Sequence, residues 1–325
     1  MNLVKSSLAL ALAAAACFSI PALAVDPVTL YGKVNLSAQS SDDGDGSTSE
    51  LKSNASRIGV KGGLELNESL KVIYTMEFQV NIDDESSDDT FSSRNQWVGL
   101  EGDFGQVLMG RNDSLLKQSQ GKVDLFNDLD GDIKTLFAGE NRINQTVTYK
   151  SPKYNGFQFG ATWALEGAKG QNDNSGEEKN GFSTAVSYGD SGLKKSPIYA
   201  AVAYDKDVFG KSKVNASGLY DIIRGTVQGK VGDFVLGAIV QSEELSDGGD
   251  SNLGYMGSVA YKMDAWTFKA QYQTVEAGDE DPSAISVGVD YKLAKPTKVY
   301  AFYTTRDEVA EDDQNYFGLG IEHKF

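Results

Sequence analysis

Beyond residue 24, apolar side chains recur at every second position in segments of about ten residues, and they never run for eighteen in succession. That pattern removes the membrane-spanning helix, which needs about 20 consecutive apolar residues, and leaves a chain built from strands. From Thr29 to Gln39, Leu30, Gly32, Val34, Leu36 and Ala38 alternate with Tyr31, Lys33, Asn35, Ser37 and Gln39. The same rhythm returns in Leu70–Asn81, Phe157–Glu166, Trp266–Gln273 and Ile285–Leu293. Alternation alone fits a soluble sandwich with its apolar face inward as well as a membrane barrel with that face outward.

The connections separate the two. Short turns near Asn67-Glu68, Asp103-Phe104, Lys153-Tyr154-Asn155, Gly232-Asp233, Asp264-Ala265 and Lys295-Pro296 interleave with longer, acidic, Ser/Gly-rich stretches. Those stretches lie at 41–53, 83–89, 168–180, 205–213, 243–250, 276–281 and 307–313. Short turns on one side and long loops on the other are the arrangement of an outer-membrane barrel. The spacing predicts an all-β, transmembrane antiparallel barrel of about sixteen strands, wide enough for a wet lumen. Tyr31, Trp97, Tyr149, Phe157, Tyr188, Trp266, Tyr291 and Tyr316 near strand ends suit interfacial aromatic girdles. The chain closes on Phe317, Leu319, Ile321, His323 and Phe325, alternating up to a terminal aromatic.

Residues 1–24 read as a signal peptide: Lys5 is the basic n-region, Leu8–Ala16 the apolar core and Ala22-Leu23-Ala24 the cleavage site. Cys17 lies in that segment, and the alanines before it lack the leucine of a lipoprotein site. The barrel is therefore expected over 25–325, without a cysteine for disulfide or thiolate chemistry. The single histidine, His323, falls on the lipid-facing register, so a Ser-His catalytic pair is not expected, nor is any other enzyme constellation. Asp128-Leu129-Asp130-Gly131-Asp132 suggests a calcium loop but has Ile133 and Gly139 where an EF-hand needs glycine and glutamate. No cofactor, no resident metal and no nucleic-acid partner are expected.

One connection is unlike the rest. Asn112 to Asn141 is the longest and mixes acids with Leu115, Leu116, Val123, Leu125, Phe126, Leu129, Ile133, Leu136 and Phe137. Such anchors suit a loop packed against an inner wall rather than one standing in water. Alternation points Lys33, Arg57, Lys61, Arg94 and Arg142 inward, because their apolar neighbours must face lipid.

Leu30-Tyr31-Gly32-Lys33, Ser56-Arg57-Ile58-Gly59-Val60-Lys61-Gly62 and Arg94-Asn95-Gln96-Trp97-Val98-Gly99-Leu100 carry a family resemblance. So do Phe104-Gly105-Gln106-Val107-Leu108-Met109-Gly110-Arg111, Arg142-Ile143-Asn144-Gln145 and Tyr149-Lys150-Ser151-Pro152. In that order and spacing, over nearly the whole exported chain, the sequence resembles the trimeric, sixteen-strand general porins of Gram-negative bacteria, in their gammaproteobacterial branch. The resemblance implies passive diffusion of small hydrophilic solutes and ions across the outer membrane. It implies a third loop (112–141) folded into the lumen, with its acids Asp124, Asp128, Asp130 and Asp132 facing the basic wall across a constriction. It further implies a homotrimer, contact with outer-membrane lipid and lipopolysaccharide, and Phe325 as a signal for the barrel-assembly machinery. A substrate-selective channel lined by an aromatic slide, or a structural or adhesive barrel with a plugged lumen, remains open. The formal charge of −16 favours cations at the mouths, and the basic wall works against that preference.

Overall fold

Period-two segments become staves of one closed sheet in the computed structural model of the chain, which describes residues 25–83, 90–165, 179–210, 217–276, 281–307 and 313–325. The signal-peptide reading of residues 1–24 lies outside the described residues, as do most of the acidic stretches at 83–89, 168–180, 276–281 and 307–313. The strands are β1 (Val25–Asp42), β2 (Ser47–Ser53), β3 (Arg57–Asn67), β4 (Leu70–Val80), β5 (Phe91–Gly102) and β6 (Gly105–Asp113). They continue with β7 (Arg142–Lys150), β8 (Phe157–Ala164), β9 (Gly181–Gly189), β10 (Ile198–Gly210), β11 (Gly218–Val231) and β12 (Phe234–Leu245). The last five are β13 (Asn252–Met263), β14 (Trp266–Val275), β15 (Ser283–Ala294), β16 (Thr297–Asp307) and β17 (Gln314–Lys324).

Both β2 and β3 pair with β1, β2 over Leu36–Asp42 and β3 over Val25–Lys33, so the two form one stave broken at Asn54–Ser56. Sixteen antiparallel staves result, each bonded to its sequence neighbours, and β17 returns to pair with β1 from Lys33 to Asp42. No edge is left unpaired in that ring, which is what hydrocarbon requires of a sheet that spans it.

Burial follows the expected alternation. On β1, Lys33, Asn35, Ser37 and Gln39 are buried inside the ring while Leu30 and Val34 are exposed on its outside. Met76, Val98, Met109, Val202, Ile223 and Leu319 continue that exposed apolar face around the barrel. Phe157–Tyr188, Phe234–Tyr261 and Trp266–Tyr291 pair their rings beside the short turns, where an aromatic girdle meets the membrane interface.

Three loops are shorter than the sequence suggests. β1 runs to Asp42 and β2 starts at Ser47, so most of 41–53 is strand, and Asp42 Oδ1 accepts from Gly44 N (3.1 Å) and Gly46 N (3.2 Å) to close the turn. Likewise β10 runs to Gly210 and β12 to Leu245. Polar side chains end the lipid-facing belt, but they do not end backbone pairing, so staves project beyond the point where alternation of hydropathy fades.

The seam between β17 and β1 is capped by the last residue. Gly32 N donates to Phe325 O (3.0 Å) and Phe325 N to Gly32 O (3.2 Å). The Phe325 ring lies where a Cβ on Gly32 would stand, covering backbone that would otherwise face lipid. Phe325→Ala is expected to lower the heat-resistant folded fraction after refolding into detergent; a yield equal to that of the parent would contradict this role.

Candidate functional site

The connection between β6 and β7 starts with Ser114, whose Oγ accepts from Lys117 N (2.9 Å) and caps the short helix α1 (Leu115–Ser119). Ser183 Oγ on β9 accepts from Leu115 N (3.0 Å) and Leu116 N (3.3 Å), so the free N–H groups of the helix start are satisfied by the barrel wall. From there the segment follows the inner face of β10–β17. Leu116 and Ala138 pack on Ala203, Tyr220 and Ile222. Val123, Ile133, Leu136 and Phe137 pack on Ile239, Met256, Val275 and Ala284. Phe126 packs among Tyr300, Phe302 and Tyr316.

These loop side chains are fully buried, and all but Ala138 contribute roughly 1.5–3 kcal/mol of apolar burial each. Two glycines make the close approach possible: a Cβ on Gly254 would stand 2.6 Å from the Phe137 ring, and one on Gly288 3.0 Å from the Phe126 ring. Tyr300 and Phe302 point inward but lie under Phe126, so they anchor the loop and form no open aromatic slide.

Polar side chains of the same wall complete the attachment. Gln271 donates to Gly131 O (2.8 Å) and accepts from Leu125 N (2.8 Å), and Gln273 donates to Thr135 Oγ1 (3.1 Å). Near the loop's two roots, Arg224 on β11 donates to Glu140 Oε1 (2.6 Å), Gln241 Oε1 (2.6 Å) and Leu116 O (3.4 Å). Gln241 and Glu243 hold Ala138 through its carbonyl (2.9 Å) and its N–H (3.0 Å).

The four predicted loop acids divide by role. Asp124 faces into the loop and accepts from Phe126 N (3.0 Å), Ile133 N (3.2 Å) and Gln271 Nε2 (3.2 Å). Burial, then the neighbouring Asp132 charge, pushes its carboxyl up to about 8. This residue organises the loop and does not line the open space, contrary to the sequence expectation. Asp132 accepts from Asp128 N (2.8 Å) and Lys134 N (2.9 Å), closing the same turn, yet it also borders the cavity.

Asp128, with φ +70°, and Asp130 reach across to the first staves. Asp128 Oδ2 is 2.7 Å from Lys33 Nζ and 3.7 Å from Arg57 Nη2, while Asp130 Oδ1 is 2.6 Å from Lys52 Nζ. Burial alone would raise the Asp128 carboxyl; Lys33 and Arg57 outweigh it and hold the group below its ordinary range. The three carboxylates are thus turned to different partners, not gathered as a calcium loop.

The loop covers the wall from β9 round to β1 and leaves the β3–β7 wall bare. Between them lies a cavity of about 870 Å³ that Arg57, Arg94 and Arg142 border from the wall and Asp128, Asp130 and Asp132 from the loop. Lys33 stands behind Asp128 and is buried (4 % exposed). Arg94 Nε is 2.6 Å from Glu77 Oε1, and Arg142 Nε is 3.1 Å from Asp113 Oδ1. Lys61 shares the inward face of β3 but lies four residues nearer the short turn, with Nζ 5.1 Å above the Tyr31 ring and no place on the cavity.

Sequence reasoning missed Lys52, Lys117, Lys134, Arg306, Asp113 and Glu140, all of which border the cavity. Lys52 sat in a stretch read as loop, and Lys117, Lys134 and Glu140 sit in a segment where no alternation reports direction. Glu77 was legible, since it shares the inward face of Leu70–Asn81 and faces Arg94. Seven bases border the cavity against five acids. Behind that lining Lys33 and Arg224 face Glu77 and Glu322 as ion-pair partners, and Asp205 and Glu243 lie buried beside Arg224, so the excess of two positive charges belongs to the lining itself.

The sequence profile of a family described as Gram-negative porin matches residues 9–320. Among curated relatives, the major outer membrane protein P.IB of Neisseria sicca is 26% identical over 362 residues, covering 99% of this chain and 99% of that protein. Among solved structures, the anion-selective porin from Comamonas acidovorans superposes with a TM-score of 0.78 at 22% identity, over 92% of this chain and 100% of that one. The trimer form of OmpT from Vibrio cholerae superposes with a TM-score of 0.68 at 19% identity, over 92% and 99% of the two chains. Both structural likenesses speak to the fold.

Proposed function

The chain belongs to the Gram-negative porin family and is a channel of the outer membrane, and from that premise we propose that its eccentric cavity is a diffusion path for small hydrophilic solutes with a preference for anions. The loop Ser114–Asn141 sets the narrow section, with Arg57, Arg94 and Arg142 on the bare wall and Asp128, Asp130 and Asp132 opposite. The observation that carries this reading is the excess of base around a cavity whose acids are each already ion-paired: Asp113 with Arg142, Asp128 with Lys33, Asp130 with Lys52, Asp132 with Lys134 and Glu140 with Arg224. The wall arginines are paired as well, Arg57 with Asp128, Arg94 with Glu77 and Arg142 with Asp113, so the preference comes from the net excess of base around the cavity and not from free guanidiniums.

The formal charge of −16 points the other way, but much of it belongs to the long connections. Charge at a wide mouth is screened within about 10 Å at 0.1 M salt, whereas charge at the narrowest section is not avoided by any path. The Comamonas relative is itself described as anion-selective. A catalytic role has no support here, because His323 lies on the outer face with Nδ1 2.8 Å from Thr297 Oγ1, away from the cavity.

Three copies are expected to associate, as in the Vibrio trimer form, with Phe325 presented to the assembly machinery before the seam closes on Gly32. Liposomes carrying the purified barrel should swell in arabinose and more slowly in a trisaccharide. Swelling no faster than in protein-free liposomes would overturn the channel reading in favour of a plugged, structural barrel.

A further inference from the structure

The bare wall stays bare because one aromatic side chain lies flat on it. Tyr31, whose place near a strand end suggests an interfacial girdle, instead shares the inward face of β1 with Lys33. Register sets Tyr31 across from Gly59 on β3, and Gly59 across from Glu77 on β4. Tyr31 and Glu77 are thus two strand spacings apart, about 10 Å. The tyrosine hydroxyl bridges them, donating to Glu77 Oε2 (3.1 Å). Its ring passes directly over Gly59, where a Cβ would stand 2.5 Å from it, well inside the separation at which carbons pack. Glu77 is buried, and its other oxygen, Oε1, accepts from Arg94 Nε (2.6 Å). One chain of contacts therefore runs from Tyr31 over Gly59 and through Glu77 to the guanidinium row. Tyr31 lies two residues from Lys33 on the short-turn side, about 7 Å along the strand. A ring that left the wall there would stand in the path just beneath the constriction.

We propose that Gly59 and Tyr31 set the width of the channel on its bare side: the glycine is a slot, and the Glu77 tether holds the ring in it. This inference rests on the diffusion-path reading of the cavity. The sheet closes the space behind the ring, so a side chain at Gly59 lifts the ring towards the lumen and narrows the path. The outer face of the same strand offers a matched case. Gly62 stands across from Tyr74, and a Cβ on Gly62 would lie 2.6 Å from the Tyr74 hydroxyl oxygen. That ring shares the lipid-facing side of β4 with the exposed Met76, so displacing it leaves the lumen as it was.

The test is the single-channel conductance of the full barrel in planar bilayers, with heat-modifiable gel mobility identifying folded protein. Gly59→Ala should lower the conductance about twofold, and in liposome swelling it should slow a trisaccharide more than arabinose. Adding Tyr31→Ser, which removes the ring, should return the conductance to the parent value or above it. Gly62→Ala, which moves a ring into lipid, should conduct as the parent does. A folded Gly59→Ala channel with the parent conductance would overturn the proposal. So would a loss that Tyr31→Ser does not restore, or an equal loss in Gly62→Ala. If Gly59→Ala refolds poorly, Tyr31→Phe carries the test, because it keeps the ring and cuts its tether. Larger open-channel current fluctuations are then expected, and a channel as quiet as the parent would contradict the tether. A parent without conductance sinks the channel reading and this inference with it, whereas a conducting parent whose variants behave alike sinks the slot alone.

Discussion

Replacing Arg224 with methionine is expected to free the lumen loop while the barrel itself stays folded. The guanidinium is fully buried, and it is the positive charge paired with Glu140, whose side chain is 4 % exposed. Asp205 on β10 and Glu243 on β12, both buried, flank it from the neighbouring staves. Removing one partner of such a pair leaves an uncompensated buried carboxylate, a cost of about 3–5 kcal/mol. Sixteen hydrogen-bonded staves do not open for that amount, so the strain is relieved where it costs least, at the loop roots Leu116 and Ala138 that Arg224 and Gln241 hold. The expected readouts are larger open-channel current fluctuations and faster uptake of a trisaccharide in liposome swelling. Glu140→Gln added to Arg224→Met removes the ion-paired carboxylate and should quiet the channel in part, since Asp205 and Glu243 stay buried beside the lost charge and Leu116 O stays without this donor. A single variant as quiet as the parent would show that the apolar anchors hold the loop alone.

Neutralising the bare wall is expected to have the second large effect. Arg57→Gln, Arg94→Gln and Arg142→Gln together turn the local excess of two positive charges into a deficit of one, and they leave Glu77 and Asp113 without their nearest bases. A unit charge about 8 Å from a passing ion in water contributes about 0.5 kcal/mol. Three such charges are therefore worth about tenfold for each ion, with opposite sign for chloride and potassium, or about a hundredfold in their ratio before screening. The triple variant should prefer potassium. Lys61→Gln, on the same strand face but away from the cavity, should leave the ratio near the parent value. If both variants shift it alike, total charge rather than position sets selectivity.

What was legible in the sequence follows what each environment demands. Lipid accepts only apolar side chains, so the outer face imposes a strict rhythm, and Val34, Met76 or Leu319 declare their direction without a structure. The inner face obeys no such rule. Where the loop lies on it, Ile239, Met256 and Val275 are as apolar as any lipid-facing residue, and only their parity with Gln241, Gly254 and Gln273 marks them as internal. The loop's own anchors were legible as a group, because nine apolar residues in an otherwise acidic barrel connection need a wall to cover them. Their partners were not, since Gly254 opposite Phe137 is a contact between positions far apart in sequence.

The division of labour among the acids was equally hidden. Asp124 and Asp128 differ by a backbone turn that sends one carboxylate to the N–H groups of Phe126 and Ile133 and the other to Lys33. Composition and position point opposite ways: the charge of −16 describes the whole chain, while the proposed constriction involves only the few side chains around one cavity.

The reversal potential of the unaltered channel tests most directly whether that one cavity governs passage. Across a tenfold KCl gradient near 0.1 M, the potential should lie on the chloride side of zero. A potential on the potassium side would mean that the acidic mouths, not the guanidinium wall of β3, β5 and β7, govern passage, and would contradict the assignment of the constriction.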